Sequence, residues 1–378
     1  MAFIKNGPGI IEKLEILSQD AQYDLACACA TGPDEHRQRS REDKWIYPVT
    51  LSQGGSTYLF KTLLSNKCIN DCRYCPLRAN ANARRCNLSP EELSKIFLSY
   101  YQARKVSGLF LSSAVTADPD GTMEQINRTA LLLRKLQFKG YIHLKIIPGA
   151  SDAAIRQSLA LASAVSLNIE TAGEHNFKQL STTKNYARDI LRPIRLISRL
   201  IRENHYLRRL KHTTQFVVGA SSETDREIIN TSWQLYKKLQ LNRIYFSAYQ
   251  RGAGSSELAG EHSNCSNADL LLREHRLYQT DWLIRKYGFK ADEIPFDAAG
   301  NISLECDPKE MWAKLHPEFF PVNVNKDDKE RLLRVPGLGL ILVEKILTLR
   351  KNKIKIRSLG SLSKQRKLLE KAQNYLTY

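Results

Sequence analysis

Between residues 58 and 248, six short apolar runs alternate with longer stretches of helical periodicity. The runs are 58–64, 108–112, 141–147, 164–170, 213–219 and 243–248. This alternation constrains the fold more than any other feature. Leu109-Phe110-Leu111 and Phe216-Val217-Val218 are apolar at every residue, as suits strands buried on both faces. The intervening stretches read as helices. Ser89-Pro90-Glu91-Glu92 has the form of a capping box with proline at the first helical position, and opens a helix to about residue 104. Segments 123–136, 153–162, 193–204 and 223–239 supply the others. Six βα units predict a parallel sheet with right-handed crossovers, either doubly wound or an incomplete barrel. In both, a ligand site lies at the C-terminal ends of the strands.

The flanks differ in kind. Residues 1–57 form an N-terminal extension with a polar stretch, 31–44, read as a mobile loop. Residues 58–260 hold the βα units. Residues 261–324 are helical over 268–287, then loop-rich, with Pro295, Pro308, Pro317 and Pro321. Residues 325–378 are a basic tail. Fifty-seven Lys and Arg against 39 acids give a net charge of +18. Residues 329–378 carry 13 basic and 3 acidic side chains, hence +10; residues 184–211 carry 9 and 2, hence +7. Such asymmetry predicts a polyanionic partner, most simply nucleic acid, or else a solvated surface. No apolar run approaches the roughly 18 residues needed to span a bilayer, and the first residues do not read as a signal peptide. The expected location is the cytoplasm, and no membrane partner is expected.

Eight cysteines are too few to staple a chain of 378 residues, so they read as thiols, metal ligands or core packing. Three stand together: Cys68-Ile-Asn-Asp-Cys72-Arg-Tyr-Cys75, directly after the first run. Three thiolates within eight residues can face one inorganic centre. Its fourth ligand is open between Cys86, Cys27 or Cys29, and no protein group at all. A structural zinc site takes four closed ligands, whereas three cysteines on a four-iron cubane leave one iron for an exogenous ligand. Cys27, Cys29, Cys265 and Cys306 read as buried structural thiols.

The spacing C-x₃-C-x₂-C, with Tyr74 before the last cysteine, resembles the radical SAM superfamily. That resemblance implies an α/β fold, a partial (βα)₆ barrel with the cluster loop after its first strand. It implies that Cys68, Cys72 and Cys75 hold a [4Fe–4S] cluster whose fourth iron chelates S-adenosylmethionine. One electron would then cleave the sulfonium to methionine and a 5′-deoxyadenosyl radical. A one-electron donor such as flavodoxin or ferredoxin follows as a partner. Where the superfamily has Gly-Gly-Glu, this chain reads Ser112-Ser113-Ala114, whose hydroxyls and carbonyls would take the same contacts. Asn168 and Glu170 would meet the ribose or methionine, and Gly219 the adenine side. With Tyr74, these complete the implied cofactor contacts.

In the tail, Val335-Pro336-Gly337-Leu338-Gly339 followed by an apolar helical pattern resembles a helix-hairpin-helix motif. That implies phosphate binding at backbone N–H groups around Gly337 and Gly339, with Lys345 and Arg350 adding charge. The other reading is a hairpin used for packing. Arg188, Arg192, Arg195, Arg199 and Arg202 recur at helical spacing on one face, with Arg195 and Arg199 at its centre. The combination, with stretches such as Gly108–Ser113 and Arg273–Trp282, is similar to the family of DNA modification/repair radical SAM proteins. It implies action on DNA and, by association, a uracil-DNA-glycosylase-like partner. Two alternatives stand beside it: a radical SAM enzyme acting on a small molecule, as in biotin synthase-like relatives, and a DNA-binding protein with a non-catalytic cluster.

Overall fold

A computed structural model describes residues 8–24, 44–51, 54–360, 362 and 366–378. Cys27, Cys29 and nearly all of the polar stretch 31–44 lie outside the described residues. The chain divides into two compact units, residues 1–223 with 234–274, and residues 224–233 with 275–378.

The first unit opens with α1 (Ile10–Asp20), then β1 (Ile46–Thr50) and β2 (Ser56–Leu63). The βα series follows: α2 (Pro90–Gln102), β3 (Gly108–Ser112), α3 (Pro119–Lys135), β4 (Tyr141–Lys145), α4 (Asp152–Leu161), β5 (Ala164–Ser166), α5 (Glu174–Leu180), α6 (Arg192–Glu203), β6 (Lys211–Val218), α7 (Asp225–Leu239), whose residues to Trp233 are counted with the second unit, and β7 (Arg243–Ala248). The sheet order is β1-β2-β3-β4-β5-β6-β7, with β2 to β7 parallel and β1 antiparallel to β2. This order decides between the two sequence readings. A doubly wound sheet reverses its strand order partway. A strictly sequential order with one crossover hand puts the helices on one face, and α2, α3 and α4 do pack each on the next.

The other face curls around Tyr23 and Asp24. Lys61 of β2 donates to the Asp24 carbonyl, Gln215 of β6 donates to the Tyr23 carbonyl at 2.9 Å, and Lys145 of β4 meets the Asp24 carboxylate at 2.6 Å. Strands four places apart reach the same dipeptide only if their shared face is concave. The partial barrel therefore encloses residues 21–24.

Three readings are corrected. The N-terminal extension contains β1, where Tyr47 and Val49, with Trp45 just before the strand, alternate as buried residues. Pro48 weakened that signal, and proline is tolerated here because β1 is an edge strand. The run 164–170 is a ladder strand only to Ser166. Beyond it, Ile169 N–H bonds the Thr214 hydroxyl, and Glu170 bridges Phe216 with φ of 68°. The helix read from 123 starts at Pro119, capped by Asp118 on the Gly121 N–H at 2.7 Å. The Ser89/Glu92 capping box forms as expected.

The second unit contains α9 (Pro308–Leu315), α10 (Lys329–Arg334), α11 (Leu340–Lys351), α12 (Arg366–Gln373) and a two-stranded ladder of β8 (Val322–Asn323) with β9 (Leu376–Thr377). The long α8 (Asn267–Lys286) precedes them. Val322, Leu332, Val335, Val343 and Ile346 form its core. Arg334 lies over Phe289 and Trp312 at 3.9 and 4.8 Å and pairs with Glu293 at 2.5 Å. No helix among the described residues is long and apolar enough to cross a membrane.

Candidate functional site

The C-terminal ends of the strands surround a cavity of about 1100 Å³, counted out to its open mouth. Cys68, Cys72 and Cys75 all line it. Their loop is shaped by groups far along the chain. Asp71, between the first two cysteines, accepts from the Ser181 and Thr182 hydroxyls at 2.5 Å, the Thr183 hydroxyl at 2.7 Å and the Thr182 N–H at 2.8 Å. Burial would raise its pKa, but these bonds hold the carboxyl well below the usual range. On the other side, Arg85 donates to the carbonyls of Leu77, Arg78 and Ala81 at 2.8–3.0 Å, fixing the turn after Cys75.

The Asp71 clamp has a chemical consequence, because Lys184 follows the clamped Ser181-Thr182-Thr183. Its ammonium lies beside Cys72 and Glu170 in the same cavity. Burial alone would lower the Lys184 pKa; the charges of Cys72 and Glu170 carry it above the usual lysine range. Burial pushes the Cys72 and Cys75 thiols up, so ionised sulfur here calls for a cation beside it. The Leu77 N–H already points at Cys75 Sγ, 3.4 Å away. Sequence reading missed Asp71, Arg85 and Lys184. Their only local signal is type, and every cysteine loop has charged neighbours.

Of the expected cofactor contacts, Tyr74, Ser112, Ser113, Asn168 and Glu170 line the cavity. Tyr74 hydrogen-bonds Glu170, and burial raises the pKa of both. Asn168 reaches Glu170 at 3.4 Å, while its Oδ1 is buried without a hydrogen-bond partner. Gly219 is not among the cavity's lining residues. Its N–H bonds Glu223 at 2.7 Å, and an added Cβ would stand 2.6 Å from a Leu270 methyl. Cys86 is buried but not among the cavity's lining residues, its Sγ 3.8 Å from the Lys13 carbonyl.

The basic candidates lie apart from this cavity's lining. Arg188, Arg192, Arg195, Arg199 and Arg202 are all exposed, and Arg188 and Arg192 pair with Asp189 and Asp152 at 2.7 Å. In the second unit, α10 and α11 join through Val335-Pro336-Gly337-Leu338-Gly339. Gly339 caps α11 without a side-chain bond, and exposed Lys345 reaches the Leu362 carbonyl at 3.2 Å. Arg350 donates to the carbonyls of Asp327 and, at 2.9 Å, Lys326, tying α11 to the chain entering α10. Gly337 faces α12: a Cβ there would fall 2.2 Å from the Leu368 carbonyl oxygen.

No family model matches this chain, and no curated protein does either. Among solved structures, it is similar to HydG, a maturase of the [FeFe]-hydrogenase. The identity is 12% and the TM-score 0.45, over 83% of this chain and 81% of that one. It is also similar to methylornithine synthase (PylB), at 15% identity and TM-score 0.43 over 57% of this chain and 61% of that one. A third is the radical S-adenosylmethionine methyltransferase TsrM from Kitasatospora setae, with cobalamin and a [4Fe–4S] cluster bound. There the identity is 14% and the TM-score 0.38, and the alignment covers 51% of this chain and 34% of that one.

Proposed function

We propose that this chain is a radical SAM enzyme, with Cys68, Cys72 and Cys75 holding a [4Fe–4S] cluster and the adjoining cavity receiving S-adenosylmethionine. One observation carries the reading: three thiols from one loop line a single cavity at the C-terminal ends of a sequential parallel sheet. A four-iron cluster would seat each of the three thiolates on a different iron. When bound, the cluster supplies one electron to the sulfonium of S-adenosylmethionine and opens a radical route to substrate C–H bonds.

The chain's own residues do the binding and orienting. The Lys184 ammonium lies where a carboxylate on the methionine half would find its counter-charge. Ser112 and Ser113 offer hydroxyl and carbonyl oxygens to the amino group. Asn168 Oδ1, buried and unpartnered, gains an acceptor's partner from a ribose hydroxyl. Glu170 and Tyr74 hold each other at the cavity wall. Gly219 supports the Glu223 turn rather than the ligand. The Asp24–Lys145 pair closes the inner end and keeps water from it.

For the substrate we infer a nucleic acid, DNA before RNA, with modification or repair as the outcome. Support comes from the exposed arginines of α6, notably Arg195 and Arg199, and from the +10 tail. A base would have to leave its stack to enter the cavity. A flavodoxin- or ferredoxin-like donor would supply the electron, and a uracil-DNA-glycosylase-like protein is the partner in keeping with this outcome. The small-molecule reading is favoured by a different observation, the polar inner end closed by Asp24, Lys145 and Gln215.

Two measurements test these statements. The reduced, cluster-loaded chain should release 5′-deoxyadenosine from S-adenosylmethionine slowly without any substrate. A full, reducible cluster with bound S-adenosylmethionine and no such product would sink the enzyme reading. DNA affinity should fall steeply with salt, and Arg195→Ala with Arg199→Ala should flatten the slope by about one to two units. An unchanged slope with normal cleavage would turn the substrate reading to a small molecule.

A further inference from the structure

At the opposite end of the sheet from the cysteines, a second cavity opens between the last turns of α6 and α7, above the starts of β6 and β7. It encloses about 750 Å³ counted to its mouth, and none of its lining residues is acidic. Arg202 closes α6, and Arg208 follows the turn His205–Leu207. Both are exposed, and neither guanidinium has an ion pair among the described residues. The floor is His212, 2% exposed. Its backbone N–H bonds the Asn242 side-chain carbonyl at 2.7 Å, and its Nδ1 meets the Ser198 hydroxyl at 3.2 Å. Its Nε2 is buried with no hydrogen-bond partner.

These features specify a ligand class. Burial pushes the His212 pKa down to about 3, so the ring is neutral. In the tautomer where the Ser198 hydroxyl donates to Nδ1, Nε2 carries the proton and presents an unused donor, and an anion bound beside it selects that tautomer. Asn242 spends its carbonyl on the backbone, which leaves its amide N–H groups for the cavity. Two arginines, a neutral imidazole and an amide thus line one cavity whose lining includes no carboxylate. Arginine forks match the oxygens of a tetrahedral anion, and a buried orphan donor is stabilised when an anion's oxygen accepts from it. We propose that Arg202, Arg208 and His212 form a phosphoryl-binding site, remote from the cysteine cavity and independent of the chemistry there. The source is either a free phosphate compound or the backbone of a nucleic acid. Tyr206, 83% exposed in the turn between the two arginines, offers a ring for a base in either case.

The test uses the full chain and inorganic phosphate, read by phosphorus NMR titration and by the phosphate dependence of the melting temperature. Saturable binding with a dissociation constant of about 1 mM or tighter is expected. Arg202→Gln with Arg208→Gln should weaken it at least tenfold, and both residues are exposed, so the fold should survive. His212→Phe keeps a ring in the floor, removes the donor, and should weaken binding severalfold. Displacement of phosphate by a thymidine oligonucleotide but not by a mononucleotide would assign the site to nucleic-acid backbone; the reverse would assign it to a free phosphate compound. Absence of saturable binding, or equal affinity in the double arginine variant, overturns the site. Neither result touches 5′-deoxyadenosine release.

Discussion

Alanine at Cys68, Cys72 or Cys75 is expected to reduce iron after anaerobic reconstitution from about four per chain to nearly none, because a cubane on a three-cysteine loop has no spare protein ligand. The same change at Cys86 should leave the iron in place. Cys86 is as buried as Cys72, at 5% and 6% exposure, so burial does not separate them. Position does: Cys72 lines the cavity, while the Cys86 sulfur points at the Lys13 carbonyl. Iron and sulfide content, with circular dichroism as the fold control, reads the difference. Loss of iron in Cys86→Ala matched by its retention in Cys75→Ala would overturn the assignment.

Valine at Gly337 is expected to unfold the second unit's hairpin region, with little effect from alanine at Gly339. Gly337 has φ of 83°, where an L-residue costs about 1–2 kcal/mol. Its Cβ would also fall 2.2 Å from the Leu368 carbonyl oxygen, which is backbone and cannot swing aside. Pushing α12 away adds about 1–3 kcal/mol, for a total near 3–4 kcal/mol. For a unit of roughly a hundred residues, that is about 10 °C or more in melting midpoint. Gly339 has ordinary extended backbone, and a Cβ there meets only the Tyr287 hydroxyl at 3.5 Å, so its cost should be about 1 kcal/mol or less. Differential scanning calorimetry of both variants checks this; equal melting would refute it. The contrast also means that Gly337 cannot report cleanly on phosphate binding, which is why Arg195 and Arg199 are the better probes.

These cases show what was legible. The six parallel strands were readable because short apolar-rich runs recur between stretches of helical periodicity, and that alternation survives in any βα arrangement. β1 was not, because an edge strand with Pro48 alternates weakly and takes its pairing from β2. Asn168 and Glu170 were singled out by the family resemblance, which places polar contacts at the end of this run. Lys184 was counted only as one charge in a basic stretch, since its partners Cys72 and Glu170 are distant in sequence.

The sequence by itself determined what lies within a few residues: the cysteine spacing, the Ser89 cap, the helical face of arginines and the glycine turn. Local spacing decides these because backbone geometry repeats over one or two turns. Only the tertiary structure decided that the sheet winds one way around Tyr23 and Asp24, and that Asp71 is clamped by Ser181, Thr182 and Thr183. It also separated Gly337 from Gly339 and left the Nε2 of His212 unpartnered between α6 and α7. Each of these depends on groups brought together across long loops, where burial and hydrogen-bond completion, rather than residue type, select the partner.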